Sequence, residues 1–388
     1  MKDFDYQLRP RIVFGANSIG RLGKLAKELG AHRVLLVSDP GVVAAGIYEK
    51  GKESLQSEGL TVFGYHDFAE NPNTKHVDRG VAFARETQPD FIVGLGGGSS
   101  MDCAKGINFV YSCGGTMHDY WGVGKATKEM LPMIAVPTTS GTGSETQSFA
   151  LISDSDTHVK MACGDPKAAC RVAVLDPFLT VSQPAGVTAL TGMDAITHAL
   201  ETFVCKKSTP ISECYSLEAW QRLTSGFPGV LSEPDNIACR SEMQLGACFA
   251  GMAIEASMLG GAHALANPIT AYLGTPHGQA VGMMMPHIVR FNSIAVGDRY
   301  ARLMRMVDPL NPPSSDPSGA LFALLQGLLR ESGLCTSLRQ LAGWPTSDHN
   351  EKTFILKMAE LAAKQWTGAF NPRPLSVSDF VDLYLAAL

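Results

Sequence analysis

The sequence predicts an α/β domain built on a parallel sheet over residues 1–183, followed by an all-helical domain over 184–388. Three observations carry this prediction. In the first half, short apolar β-rich runs alternate with helically spaced segments, the pattern of a layered α/β domain. Glycine- and hydroxyl-rich turns follow two of those runs. Beyond Pro184 strand patterns fade and helical periodicity runs to the end. The 388 residues exceed what one hydrophobic core usually organises and suit two domains.

The elements follow in order. Ser18 to Leu29 has helical spacing, with Ile19, Leu22, Leu25, Ala26 and Leu29 on one side and Gly30 as a stop. Residues 33–38, Arg-Val-Leu-Leu-Val-Ser, read as a buried parallel strand ending in a turn at Asp39-Pro40-Gly41. A helix to about Ser57, a strand at Leu60 to Tyr65, a helix at Thr74 to Thr87 and a buried strand from Asp90 to Leu95 come next. That strand runs into Gly96-Gly97-Gly98-Ser99-Ser100-Met101-Asp102 and then an amphipathic run through Phe109.

A glycine-rich turn between strand and helix lets backbone N–H groups approach an anion at the positive end of the helix. It also serves as a plain tight turn. It is neither G-x-G-x-x-G, whose third glycine counted from Gly94 falls on Ser99, nor a P-loop, because no Gly-Lys-Ser/Thr follows. A further strand at Pro132 to Val136 leads into Pro137-Thr138-Thr139-Ser140-Gly141-Thr142-Gly143-Ser144-Glu145, dense in groups that hydrogen-bond phosphate and ribose oxygens. Two such loops after parallel strands favour a ligand at the C-terminal edge of the sheet, a dinucleotide above all. Asp39 would accept from a ribose hydroxyl and repel a 2′-phosphate, which leans toward NAD over NADP; Asp-Pro-Gly is equally an ordinary turn. From Phe149 to Asp176 short β-like pieces alternate with polar turns, and Lys160 within them is either a solvated strand lysine or a phosphate or ribose contact.

In the second half, helical stretches include Ser212 to Thr224, Ser241 to Leu259 and Asp379 to Leu388, and Pro309 to Pro317 reads as an exposed loop. Asp194 and His198, four apart in a helical segment, project from one face. A carboxylate oxygen beside an imidazole nitrogen makes two ligands for a divalent metal, and His263 and His277 can supply two more. This set suits iron(II), zinc or manganese and lacks the thiolates of structural zinc. The alternative is a pair of core or capping residues. The metal candidates are expected in the cleft between the domains, where substrate sites are common.

Composition bounds the partners. A hydrophobic fraction of 45%, a charged fraction of 18% and a net charge of -5 describe a globular protein with no electrostatic footprint for nucleic acid or an anionic membrane. The nine cysteines contain no Cys-x-x-Cys pair and read as reduced thiols, with Cys103, Cys205 and Cys248 buried and inert. Met1 to Asp5 show no apolar signal core, so a cytoplasmic location is expected.

The ordered motifs Gly-Gly-Gly-Ser-x-x-Asp at 96–102, Pro-Thr-Thr-x-Gly-Thr-Gly-Ser-Glu at 137–145, Gly-Met-Asp-Ala-x-Thr-His at 192–198, and His263 with Pro-His-Gly at 276–278 resemble the iron-containing (group III) alcohol dehydrogenases. Glu-Asn-Pro at 70–72 and Asn-Pro-Arg at 371–373 extend the resemblance over essentially the whole chain. It implies metal ligands Asp194, His198, His263 and His277, and nucleotide contacts at Asp39, Asn71, Gly97, Gly98, Ser99, Asp102, Thr138, Thr139, Thr142, Lys160 and Leu179. It implies NAD with iron(II), or zinc, a small alcohol or diol interconverted with its aldehyde or ketone, and a homodimer or larger homo-oligomer. One position departs: where the family usually carries a second histidine, thought to relay protons near the substrate, this chain has Asn267. His287 reads as a structural helix residue rather than its replacement. The competing readings are a zinc polyol dehydrogenase of glycerol type, a dehydroquinate-synthase-like lyase with bound NAD, and a catalytically dead nucleotide-binding protein. Phe149, Met258 and Leu259 suggest an apolar pocket.

Overall fold

The computed structural model describes residues 3–157, 159–310 and 315–388. Met1 and Lys2 of the N-terminal reading, and 311–314 of the loop read at 309–317, lie outside the described residues. Two compact units part between Gln183 and Pro184, and Asp3 to Tyr6 group with the second of them. The Tyr6 and Tyr215 hydroxyls, 2.8 Å apart, make one of the bonds that hold it there.

The first unit is organised by six parallel strands: β1 (Arg11–Phe14), β2 (Arg33–Val37), β3 (Thr61–Tyr65), β4 (Phe91–Gly96), β6 (Met133–Pro137) and β9 (Val172–Leu175), in the order β1-β9-β6-β4-β2-β3. Between them run α1 (Leu22–Glu28), α2 (Pro40–Ala44), α3 (Ile47–Ser57), α4 (Thr74–Thr87) and α5 (Gly98–Cys113). A smaller sheet holds β5 (Gly122–Val123), β7 (Phe149–Ser153) and β8 (Lys160–Gly164) in the order β5-β8-β7.

Alternation on the pleat assigns side chains to two separate cores. On β2, Leu35 and Val37 join one cluster with Val77, Val81, Met101 and Ile107, while Val34 and Leu36 join Leu22, Leu25 and Leu55 in the other. A strand covered on both faces needs apolar residues at every position, which is why β2, β4 and β6 read as continuous apolar runs. The chain leaves β2 for β3 on one side and returns to β4 on the other. That reversal makes a topological switch point at the carboxyl ends of β2 and β4, the usual ligand position in such sheets.

The second unit contains nine α-helices among the described residues: α6 (Ala185–Val204), α7 (Pro210–Ser232), α8 (Ile237–Glu255), α9 (Gly261–Leu273), α10 (His277–Val296), α11 (Asp298–Val307), α12 (Pro317–Glu331), α13 (Asp348–Ala362) and α14 (Val377–Ala386). Helix α6 is buried all round from Gly192 to Val204 and packs against α7, α8 and α10. Its apolar positions, among them Met193, Ile196 and Leu200, belong to one core with Trp220, Phe227 and Leu265. A helix so enclosed must satisfy every polar group it carries or lend it to a site. Among the described residues no helix is long and apolar enough to cross a membrane.

Candidate active site

In the helical unit, α6 supplies Asp194 and His198 from one face, α9 supplies His263 in its first turn, and His277 is the first residue of α10. Glycine allows the last approach. A Cβ on Gly278 would lie 2.1 Å from the Leu190 carbonyl oxygen, so only glycine lets α10 begin this close to α6.

The three imidazoles converge on one oxygen. Asp194 Oδ1 is 3.3 Å from His198 Nε2, 3.6 Å from His263 Nε2 and 3.8 Å from His277 Nε2. The His198 and His263 rings stack with centroids 4.9 Å apart, and the His277 ring is tilted 53° to that of His263. The Asp194, His198 and His263 side chains are at most 7% exposed, whereas His277 is 35% exposed and forms the open side. Asp194 Oδ1 and His263 Nε2 are buried without a hydrogen bond. Leaving two such atoms unsatisfied costs about 1–3 kcal/mol each unless a ligand takes them.

The donor set fits a cation. Bonds of about 2.1 Å in a tetrahedral site separate ligand atoms by about 3.4 Å; the three distances from Asp194 Oδ1 are close to this, and ligand atoms of Asp194, His263 and His277 lie within 4.8 Å of one another. One carboxylate oxygen and three imidazole nitrogens suit iron(II), zinc and manganese. Without a cation His263 holds a proton instead. Burial lowers the basicity of His263, but Glu201 and Asp194 outweigh it and raise its pKa to about 9. Burial opposes ionisation of Asp194, yet the charges of His198, His277 and His263 hold its carboxyl well below the usual range. A divalent ion would displace that proton.

Two further residues have no counterpart in the sequence reading as site residues. Glu201, one turn beyond His198, accepts from His263 Nδ1 at 2.6 Å. Asn371, noted only for its Asn-Pro-Arg run, accepts from Gly261 N at 3.3 Å and donates to Asn292 Oδ1 at 2.7 Å, fixing the start of α9. Asn267 lies on α9 one turn after His263, half-buried, and its Nδ2 donates to Gln365 Oε1 at 3.0 Å. His287 is buried ten residues along α10 from His277, edge-on to Phe322, and burial pushes its pKa down to about 4. Met258 and Leu259 are half-buried in the segment leading into α9.

In the first unit, residues read as nucleotide contacts follow five strands at one edge of the sheet: Asp39 after β2, Asn71 after β3, Gly97 to Asp102 after β4, Thr138 to Thr142 after β6, and Leu179 after β9. Asp39 is more than a turn residue. Its Oδ1 caps α2 through Val42 N at 3.1 Å, and its Oδ2 accepts from Ser100 Oγ at 2.8 Å, tying the ends of β2 and β4 together. Gly96, at φ 150°, has no room for a side chain because a Cβ would sit 2.3 Å from Ser100 Oγ. The threonines press on the next two glycines: a Cβ on Gly97 would be 3.2 Å from Thr139, and one on Gly98 would be 2.8 Å from Thr142. Gly97 brings no capping side chain to α5, leaving the backbone N–H groups at its start for an anion.

The remaining contacts join this edge. Ser99 Oγ accepts from Asn71 N at 3.1 Å, and Lys160 Nζ on β8 donates to Asn71 Oδ1 at 3.2 Å. Asp102 accepts from Ser144 Oγ at 3.1 Å; burial raises its pKa, opposed by Lys105 and Lys160. Leu179 is 2% exposed within the sheet's core. Phe149 is half-buried at the start of β7. Burial also raises the thiol pKa of Cys103 and Cys205, as expected of inert cysteines.

The first unit is a parallel sheet with glycine-rich loops at its carboxyl edge, and the second holds a buried carboxylate–imidazole cluster that could hold a metal ion. Family comparison makes this specific. Residues 9–177 match the model of iron-containing alcohol dehydrogenases, and residues 188–388 match that of the C-terminal part of the Fe-containing alcohol dehydrogenase family. The chain belongs to the iron-containing alcohol dehydrogenase family and is an oxidoreductase of that family. It is 31% identical to a 1,3-propanediol dehydrogenase of Klebsiella pneumoniae, across 95% of each chain. It is 34% identical to an NAD-dependent methanol dehydrogenase of Bacillus methanolicus, across 78% of this chain and 80% of the relative. The solved structure of a 1,3-propanediol oxidoreductase superposes with a TM-score of 0.94 at 30% identity, covering the whole of both chains.

Proposed function

We propose that the protein interconverts a small alcohol or diol and the corresponding aldehyde or ketone by hydride transfer to and from NAD(H), with a divalent metal held by Asp194, His198, His263 and His277. The observation that carries this reading is the convergence of three Nε2 atoms on Asp194 Oδ1 within 3.8 Å. A cation bound there would act as a Lewis acid on the substrate oxygen, making an alkoxide accessible near neutral pH. The protein's own groups position and orient. Backbone N–H groups of Gly97, Gly98 and Ser99 and the hydroxyls of Thr138, Thr139 and Thr142 receive the dinucleotide phosphates. Asn71, Asp102, Lys160 and Leu179 line the same edge. Asp39 accepts from ribose hydroxyls and disfavours a 2′-phosphate, so NAD is the preferred cofactor over NADP. Asn267 can hydrogen-bond the substrate but cannot shuttle a proton at neutral pH, so proton exchange runs through water or ribose hydroxyls.

Iron(II) is the family's metal, and zinc binds such nitrogen and oxygen ligands more tightly, so the zinc form is the second reading. Nine free cysteines, five of them buried, suit a reducing cytoplasm. The working form is a homo-oligomer. The test is a scan of short alcohols, diols and aldehydes with NAD and NADP, using protein reconstituted anaerobically with one metal at a time. Net NADH formation with a short alcohol or diol is expected. His198→Ala should abolish metal uptake and turnover together; full turnover in that variant after metal depletion rules the proposal out.

A further inference from the structure

One buried carboxylate in the helical unit holds no ligand position and yet touches the cluster. Glu201 lies on α6 seven residues after Asp194 and three after His198, so all three side chains leave the same face of the helix. It is 2% exposed. Its Oε2 accepts from His263 Nδ1 at 2.6 Å and from Gly260 N at 2.9 Å, and its Oε1 accepts from Ala262 N at 2.6 Å.

Burying a carboxylate is costly unless its lone pairs are filled, and here three N–H groups fill them. Two of them belong to the start of α9, whose N-cap, Gly260, brings no side chain of its own. Glu201 therefore caps that helix from another helix, at the end where its dipole favours negative charge. The third bond settles which nitrogen of His263 is open. A neutral imidazole carries one proton, and an ionised carboxylate only accepts, so the proton of this bond sits on Nδ1. In the neutral ring, the form that takes a cation, the lone pair is then on Nε2, which faces Asp194 Oδ1 at 3.6 Å.

We propose that Glu201 is a positioning residue of the cluster, holding His263 in the Nδ1–H tautomer with Nε2 open and thereby setting the metal affinity of the site. The inference rests on the metal-binding reading above. Asp194, His198 and Glu201 then form one strip of a single helix: two ligands and the group that orients a third.

The test titrates zinc into the full-length protein in competition with a chromophoric chelator. Glu201→Gln keeps the size of the side chain but places an N–H donor among donors, against Ala262 N in one orientation of the amide or against both Gly260 N and His263 Nδ1 in the other. It should raise the zinc Kd 10- to 100-fold, the usual loss when such a partner of a ligating histidine is removed. Glu201→Asp, which restores a carboxylate, should recover part of that loss. Asn371→Ser is the control for a merely structural effect, because Asn371 takes Gly261 N at the same helix start without touching His263. It should leave the Kd within about threefold, well short of the loss expected at Glu201. An unchanged Kd in Glu201→Gln, or an equal rise in Asn371→Ser, overturns the inference and leaves the metal reading standing. If Glu201→Gln does not fold, ring 15N shifts of His263 in the zinc-loaded wild type decide: zinc on Nε2 supports the proposal, and zinc on Nδ1 overturns it. A wild type that takes up neither zinc nor iron(II) sinks the metal reading, and this inference with it.

Discussion

At Asn267 the chain has an amide one helical turn from His263, on the same side of α9. Its Nδ2 is committed to Gln365, which leaves Oδ1 as an acceptor for a substrate hydroxyl. A substrate with a second hydroxyl would use that acceptor, and a simple alcohol of the same length would not. One neutral hydrogen bond contributes about 1 kcal/mol. Asn267→Ala should therefore lower kcat/KM for a short diol by about 5-fold relative to the simple alcohol of the same length, read from steady-state rates on both substrates. An equal loss on the two would mean that the amide only braces α9 against the segment at Gln365. Residues of this kind differ in how far the sequence reveals them. Asp194, His198, His263 and His277 are of ligand-forming types, but alone they read equally as core or capping residues, and the ordered motifs around them are what mark them in the sequence. Glu201 is not marked in this way, since its partners lie 59 to 62 residues further along the chain and only packing brings them to it.

At the scale of elements, strands covered on both faces announce themselves and marginal ones do not. Apart from the exposed Arg33 that opens β2, the runs at β2, β4 and β6 are apolar, so their extents lie close to those read from composition. Strand β1 has only four residues with a single buried position, and pairing with β9 rather than propensity makes it a strand. The loop after β6 carries a similar hidden dependence. Its hydroxyls are visible in the sequence, but the group that shapes it is Lys105, fully buried on α5 among apolar neighbours. Lys105 Nζ donates to Ser144 O at 2.6 Å, Gln147 O at 2.7 Å, Phe149 O at 3.0 Å and Ser144 Oγ at 3.1 Å. Lys105→Met keeps the length and leaves three carbonyls without that donor. A loss of about 3 kcal/mol in stability is expected, measured by denaturant unfolding. NAD binding should weaken as well, because the loop carrying Thr138, Thr139 and Thr142 loses its anchor. A variant of wild-type stability would show that the carbonyls find other donors.

At the scale of the whole molecule, the response of folding to acid can be argued from His287. In the folded chain burial, with a smaller effect of Arg290, depresses its pKa from 6.5 to about 4. Between those values the unfolded chain binds a proton that the folded chain refuses, so the unfolded state holds more protons and stability falls as pH is lowered. The contribution is fully present above pH 6.5, declines through the window, and levels off below about 4. An imidazole whose basicity falls this far on folding accounts for about 3 kcal/mol of acid destabilisation. Its Nε2 makes no hydrogen bond and its ring packs edge-on to Phe322 at 5.6 Å, so a phenyl ring can replace it without stranding a partner. His287→Phe should match the wild type at pH 7.5 and exceed it at pH 4.5, in free energies of unfolding by denaturant. Carboxylates contribute their own acid sensitivity to both proteins, and the difference between the two curves removes it. Parallel curves across pH 4 to 6.5 would mean that the imidazole charges in place and that the helical unit opens locally to hydrate it.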